Sequence, residues 1–318
     1  MSGNVRPRTT LRYTPPLPEL HEKRVGLRRR IRIAIGIAAA AALLEVVGSW
    51  SSGSLALLSD AGHVGTDAFA LGLSLWALRI SERPHTPEMS FGYHRTEVLA
   101  ALANAALLLT IAGALATEAY GRYQTAPPVS GGLMLLVGLA GLAANLVMLA
   151  LLRSPARGNI NVRGAFLHVY GDTLGSTAVV AGAILIQVTG EPLFDVIAAL
   201  LVVILIAATG ARLLGDSVRI ILEASPAELA PQDVAEAIAA IPGVRGVHDL
   251  HIWTVTSGFL VLAGHILMSG ESTVQDASAV VDRVQAMLRE RFGIAHATLQ
   301  VDSLQDEIIA SSDVEKRP

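Results

Sequence analysis

Residues 54–67 read Ser-Leu-Ala-Leu-Leu-Ser-Asp-Ala-Gly-His-Val-Gly-Thr-Asp, an apolar segment with ionisable groups in its interior. His63 and Asp67 stand four residues apart, so on a helix both project from one face. The same spacing recurs at His168 and Asp172, inside another apolar segment. Placing an ionisable side chain within a membrane span costs free energy, so such residues are functional candidates by default. The repeat therefore predicts two membrane helices that contribute to one site.

The composition is typical of a membrane protein. Of the 318 residues, 52% are apolar and 16% are charged, whereas a soluble domain has about 25% charged residues. This composition excludes a disordered chain and a soluble nucleic-acid binder. The absence of cysteine excludes disulfides, thiolate metal sites and cysteine nucleophiles.

Six segments are long enough to cross a bilayer, which takes about 20 apolar residues each. We expect them near residues 31–50, 55–78, 97–120, 131–152, 163–189 and 193–214. Lys and Arg concentrate in the N-terminal tail and after the second, fourth and sixth segments, whereas the opposite loops contain only Arg122. The positive-inside rule then places both termini in the cytoplasm, as in a multi-pass protein of the inner or plasma membrane.

Charge divides the chain into four regions. Residues 1–30 form a basic, proline-containing tail that we expect to be flexible. Residues 31–215 form the α-helical membrane domain with six transmembrane helices, and residues 216–302 form an acidic cytoplasmic domain. Residues 303–318 are expected to be a flexible C-terminal tail.

The cytoplasmic region has the pattern of a small α+β domain of order αββαβ. Its predicted helices and strands, in chain order, are residues 231–241, 244–255, 259–268, 272–292 and 298–301. Fewer than 90 residues suffice for helices packed on one face of a sheet.

Two imidazoles and two carboxylates on paired membrane helices form a tetrahedral ligand set for a divalent transition metal. A single His–Asp pair would fit a buried hydrogen bond equally well, but its repetition in mid-span favours a metal site. Four protein ligands leave no position for catalytic water, and no His-Glu-x-x-His sequence is present. We therefore expect transfer of the ion, with no catalytic residues. Imidazole ligands favour Zn²⁺, Co²⁺ or Ni²⁺ over Mg²⁺, Ca²⁺ and Mn²⁺.

The cytoplasmic domain contains further histidines. His248 and His265 lie on the two arms of the predicted hairpin, while His296 and Asp302 flank the third strand. These residues predict a peripheral metal site, and the alternative is a set of ordinary surface histidines. Because side chains alternate along a strand, His248 and His251 are expected to face opposite ways.

Four motifs in this order resemble the cation diffusion facilitator family, and its zinc-transporting branch most of all. They are the run from Ser54 to Asp67, Phe91-Gly-Tyr-His-Arg-x-Glu97, His168-x-x-x-Asp172 and His248-Asp-Leu-His-Ile-Trp253. The resemblance extends from about Ile31 to Asp302.

The resemblance implies a homodimer in the lipid bilayer, in which each protomer has six membrane helices and a ferredoxin-like cytoplasmic domain. It implies export of divalent metal from the cytoplasm in exchange for protons, with Zn²⁺ as transported substrate and as structural or regulatory ligand. The implied transport site is His63, Asp67, His168 and Asp172. The implied cytoplasmic metal site is His248, His265, His296 and Asp302, and His94 matches a loop histidine that binds metal at the membrane interface.

Three functions can be considered for these residues. The first is a secondary active zinc/proton antiporter, and the second is a metal-gated channel or metal sensor without coupled export. A membrane hydrolase is the third, and it lacks both a candidate nucleophile and an open metal position. The antiporter is the interpretation that the sequence favours.

Overall fold

The computed structural model describes residues 18–303, apart from Glu82, His85, residues 154–159 and Ser257. The first six elements are long helices. They are α1 (Pro18–Ser52), α2 (Leu55–Ser81), α3 (Thr96–Thr125), α4 (Gly131–Arg153), α5 (Ile160–Thr189) and α6 (Leu193–Ile221). Each contains one of the six predicted segments.

Helix α1 begins at Pro18, earlier than the expected start at residue 31. Proline suits the first position of a helix because its missing N–H has no intrahelical partner there. The Glu, Lys and Arg residues that follow are good helix formers despite their polarity. The remainder of the predicted basic tail, residues 1–17, lies outside the described residues, as do residues 304–318.

Four helices in the described part of the chain are long and apolar enough to cross a membrane. They are Thr96–Thr125, Gly131–Leu151, His168–Thr189 and Leu193–Ile221, while Gly36–Ser52 is a shorter apolar helix. Large apolar side chains such as Leu136 and Ile204 are exposed on these helices, as contact with lipid requires. Polar residues in the middle of α2 lower its hydropathy, and the same residues mark that segment as a candidate site.

The described residues form two compact units. The first comprises the residues up to Gly65 together with Gly113–Leu205, and the second comprises Thr66–Ala112 together with the residues from Ile206 onwards. Within the first unit, α4 packs against both α1 and α5. Glycine permits the close approach of α1 to α4, because a Cβ at Gly48 would lie 2.7 Å from the side chain of Val137.

The N-terminus of α2 is fixed by a carboxylate from α6. Asp195 is 1% exposed. It accepts hydrogen bonds from Ser54 Oγ at 2.6 Å and from the backbone N–H groups of Leu55 at 2.7 Å and Ala56 at 3.1 Å. These are amides that a helix start leaves without intrahelical partners. Arg122 Nη1 lies 4.0 Å from the same carboxylate, so the buried charge is compensated.

The second unit contains a small α+β domain whose elements confirm the predicted order. They are α7 (Pro231–Ala239), β1 (Gly246–Thr256), β2 (Phe259–Met268), α8 (Val274–Phe292) and β3 (Ile294–Ser303). The sheet order is β1-β2-β3, with β1 antiparallel and β3 parallel to β2. Buried Ile238, Leu262, Ile266, Val284 and Leu288 form the centre of its core.

Replacing Asp195 by Asn tests whether its carboxylate stabilises the N-terminus of α2. In the Asn variant, an amide N–H group would face hydrogen-bond donors that now face a carboxylate. We therefore expect the free energy of unfolding to fall by about 2 kcal/mol, the typical contribution of a hydrogen bond to a charged group. Thermal unfolding of the purified chain should show a lower melting temperature. Glu191→Gln, an exposed acid shortly before α6, is the matched control, and an equal effect in both variants would contradict the assignment.

Candidate metal centres

Helices α2 and α5 bring three of the predicted transport residues together. His63 Nε2 lies 3.2 Å from Asp172 Oδ1, and His168 Nε2 lies 3.9 Å from Asp172 Oδ2. The two imidazole rings are 6.0 Å apart between centroids. The Asp172 carboxylate therefore presents one oxygen to each imidazole, an arrangement in which nitrogen and oxygen ligands converge on a small volume.

Exposure differs among these three groups. The side chains of His63 and Asp172 are each 9% exposed, whereas that of His168 is 45% exposed. Asp67, the fourth predicted member, lies on α2 one helical turn beyond His63 and is half-buried. His63 and Asp172 are thus the buried part of this candidate centre, and His168 is its more accessible part.

A series of hydrogen bonds joins α2, α5 and α4 next to His63 and Asp172. Ser176 Oγ donates to Asp60 Oδ2 at 2.7 Å, and Asn145 Nδ2 donates to Ser176 Oγ at 3.0 Å. Asp60 is one turn before His63, and Ser176 is one turn after Asp172. These hydrogen bonds therefore link α2 to α5 beside His63 and Asp172. Sequence reasoning missed Ser176, although its spacing of four from Asp172 places it on the same face.

In the cytoplasmic domain, three of the predicted residues form a second cluster. His265 Nδ1 lies 2.8 Å and His248 Nε2 lies 3.4 Å from Asp302 Oδ2. The two imidazole rings are 5.0 Å apart between centroids. One carboxylate oxygen thus faces a nitrogen from each of two histidines on neighbouring strands.

The chemistry of this cluster fits a divalent metal ion. His248 Nε2 is buried and makes no hydrogen bond within the described residues, so no other protein group occupies the position where a metal ion would bind this nitrogen. The pKa of Asp302 lies below its usual value, mainly because Gln300 Nε2 donates a hydrogen bond to Asp302 Oδ1. Burial acts in the opposite direction, and the hydrogen bond with His265 lowers the pKa further. The carboxylate is therefore ionised and ready to bind a cation.

His296 does not join this cluster. It lies within β3, six residues before Asp302, which corresponds to about 20 Å along an extended strand. Its ring instead meets Phe91 edge-on, 6.0 Å between centroids. The expectation that His296 and Asp302 flank a short third strand was wrong, because β3 extends from Ile294 and contains both residues.

The expectation that His248 and His251 face opposite ways was also wrong. His248 pairs with His265 and His251 pairs with Ala263, so β1 holds one residue more than β2 between these rungs. Such a β-bulge resets the alternation of side chains. His251 consequently lies on the same face of the sheet as His248.

His94 lies in the second unit against the cytoplasmic domain. Its ring meets Phe259 edge-on at 5.4 Å between centroids. His94 and His296 both line a cavity of about 480 Å³. The structure therefore places these two histidines near each other, away from the cluster at Asp302.

Comparison with known proteins agrees with this architecture. The model of the cation efflux transmembrane domain matches residues 31–222, and that of the cation efflux protein cytoplasmic domain matches residues 226–304.

Three curated relatives are similar over most of their length. The zinc transporter ZitB of Escherichia coli is 40% identical over 86% of this chain and 87% of its own. The metal cation efflux system protein CzcD of Cupriavidus metallidurans is 37% identical over 89% of each chain. The cadmium, cobalt and zinc/H⁺-K⁺ antiporter of Bacillus subtilis is 34% identical over 82% of this chain and 84% of its own. With its two domains matched in order and these relatives similar over most of their length, the chain belongs to the cation diffusion facilitator family and, within it, to the zinc-transporting branch.

Proposed function

We propose that this protein is a secondary active transporter that exports Zn²⁺ from the cytoplasm in exchange for protons. The transport site comprises His63, Asp67, His168 and Asp172. The observation that carries the proposal is the Asp172 carboxylate, which faces an imidazole nitrogen at 3.2 Å on one side and at 3.9 Å on the other. The names of the relatives, two of which are a zinc transporter and an antiporter, support it.

The charges of the site explain the exchange. Two carboxylates balance the charge of one divalent cation, and neutral imidazoles supply the remaining ligands. When the metal leaves, two negative charges would remain in a medium of low dielectric constant, which is costly unless protons replace it. Because metal ligands must be deprotonated, zinc and protons compete for the same atoms. Exchange then needs no separate proton pathway.

The membrane architecture of the proposal has six spans, α1 to α6, with both termini in the cytoplasm of a cell inner or plasma membrane. The membrane domain comprises residues 31–215, and residues 216–302 form a ferredoxin-like domain that supports a homodimer. An even number of spans agrees with the basic residues on one side of the membrane. The two family models match the chain in this order, which supports its division into a membrane domain and a C-terminal domain.

The cytoplasmic cluster of His248, His265 and Asp302 is proposed to hold a regulatory or structural Zn²⁺. His94 and His296 are proposed as a separate, more weakly binding pair near the membrane interface. The buried His248 Nε2, which makes no hydrogen bond within the described residues, supports the first assignment, and the shared cavity supports the second.

Substitution of Asp172 by Asn tests the shared site. The loss of one carboxylate removes a metal ligand and the charge that attracts protons once the metal has left, so zinc flux and zinc-driven proton movement should both disappear. Proteoliposomes with an imposed pH gradient and entrapped zinc and pH indicators would measure the two fluxes together. Glu118→Gln, an exposed acid on α3, is the control. Zinc-driven proton movement that survives in Asp172→Asn would contradict a shared site, and zinc current without proton movement in the wild type would indicate the metal-gated channel.

Replacing His63 by Asp should change the selectivity of transport. The substitution exchanges a borderline nitrogen ligand for a hard oxygen, so transport should shift toward Cd²⁺ or Mn²⁺ at the expense of Zn²⁺. Competition between metals in the same vesicles measures the shift. An unaltered metal profile would show that His63 is not a ligand.

Asp302→Asn tests the cytoplasmic cluster. Zinc that binds the folded chain stabilises it by mass action, by about 2.7 kcal/mol at 100 times the dissociation constant. In chains that also carry Asp172→Asn, this stabilisation should vanish with Asp302→Asn and persist with the exposed control Asp282→Asn. A zinc-dependent rise in melting temperature that is equal in both variants would place the zinc elsewhere.

A further inference from the structure

Asp249 owes its position to the β-bulge in β1. The bulge falls between His248 and His251, and Asp249 within it has a left-handed φ of 48°. Opposite the bulge, Gly264 makes room for Leu250, because a Cβ there would lie 2.8 Å from Leu250 Cδ1. In a regular strand Asp249 would point away from the face that carries His248. The bulge turns its carboxylate toward the histidine cluster instead.

The turned carboxylate lies between two histidines. Asp249 Oδ2 is 3.8 Å from His265 Nε2, and Asp249 Oδ1 is 2.9 Å from His251 Nε2. His265 Nδ1 lies 2.8 Å from Asp302 Oδ2. The imidazole of His265 thus has a different carboxylate beside each of its two nitrogens.

Only one of these nitrogens can bind a metal ion as a lone-pair donor while the other carries the proton. If Nδ1 carried the proton, it would donate to Asp302 and block the side on which His248 Nε2 also converges. A carboxylate that accepts the Nε2 proton selects the opposite tautomer and leaves Nδ1 free to bind. Metal-ligating histidines commonly donate their second N–H to such a partner.

We propose that Asp249 is a positioning residue for the cytoplasmic metal site: its carboxylate, 3.8 Å from His265 Nε2, attracts the ring proton to that nitrogen and leaves Nδ1 to face the metal. His251 holds the Asp249 carboxylate in place through its Nε2. The inference rests on the proposed zinc site at His248, His265 and Asp302. It assigns a role to Asp249 and His251 that neither residue type nor spacing reveals.

The test uses the full chain in nanodiscs with Asp172→Asn, so that the intramembrane site does not contribute. Asp249→Gly removes the carboxylate, while Asp249→Asn keeps an oxygen acceptor without the charge. Both residues tolerate a left-handed backbone, so the bulge is retained. Asp282→Asn, which removes the same charge from an exposed position on α8, is the matched control.

Zinc affinity should fall by about 10- to 100-fold in Asp249→Gly, the range for loss of such a partner, and by less in Asp249→Asn. Asp282→Asn should leave it unchanged. The number of bound ions should not change, and the melting temperature without metal should stay at the control value. With Co²⁺ as the probe, the visible d–d bands should move in Asp249→Asn at saturation, because the basicity of His265 changes.

Three results would overturn parts of this account, and each is distinguishable. Unchanged zinc affinity and Co²⁺ bands in Asp249→Gly would remove the positioning role. Loss of a bound ion, rather than weaker binding, would make Asp249 a ligand instead of a positioning residue. If Asp302→Asn leaves zinc binding intact, the proposed cytoplasmic site itself fails, whatever Asp249 does.

Discussion

The carboxylate of Asp195 determines where α2 begins, and the positions of His63 and Asp67 along the helix depend on that start. A helix leaves its first N–H groups without partners, and in hydrocarbon no water can satisfy them. Asp195 supplies oxygens to Ser54 Oγ and to the N–H groups of Leu55 and Ala56. Since α2 continues without interruption from Leu55 to Ser81, His63 lies about 12 Å further along a rigid helix. A contact made more than two turns away therefore sets the depth of His63, and it links that depth to α6.

Polar residues follow one another at intervals of one helical turn on both α2 and α5. Asp60, His63 and Asp67 do so on α2, and Asp172 and Ser176 do so on α5. Buried acids are tolerated when hydrogen bonds or opposite charges compensate them. Ser176 compensates Asp60 directly, whereas Asp172 faces two imidazoles. The carboxylate of Asp172 thus faces imidazole nitrogens, whereas that of Asp60 accepts a hydrogen bond that links α2 to α5.

The sequence predicted those features that local spacing controls. Hydrophobic segments indicated all six helices, and the repeated interval of four indicated that His63, His168 and Asp172 lie close together, as the structure shows. The αββαβ order followed from period and turn residues. What it could not predict were pairings between distant elements: Ser176 with Asp60, Asp195 with the start of α2, and the separation of His296 from Asp302. The bulge at Asp249 was missed for a related reason, since one extra residue in a strand leaves the alternation of apolar residues almost unchanged while it rotates several side chains.

That bulge has a consequence for association between chains. Among the residues that the structure describes, the sheet order leaves β1 as an edge strand with one row of backbone groups unpaired by the sheet. A flat edge of this kind can template the addition of a strand from another molecule. The bulge interrupts the regular ladder of β1 and places the charged Asp249 and the polar His251 beside the break. An incoming strand would find neither a regular hydrogen-bond register nor an apolar face, so the irregularity that shapes the histidine cluster also protects this edge from aggregation.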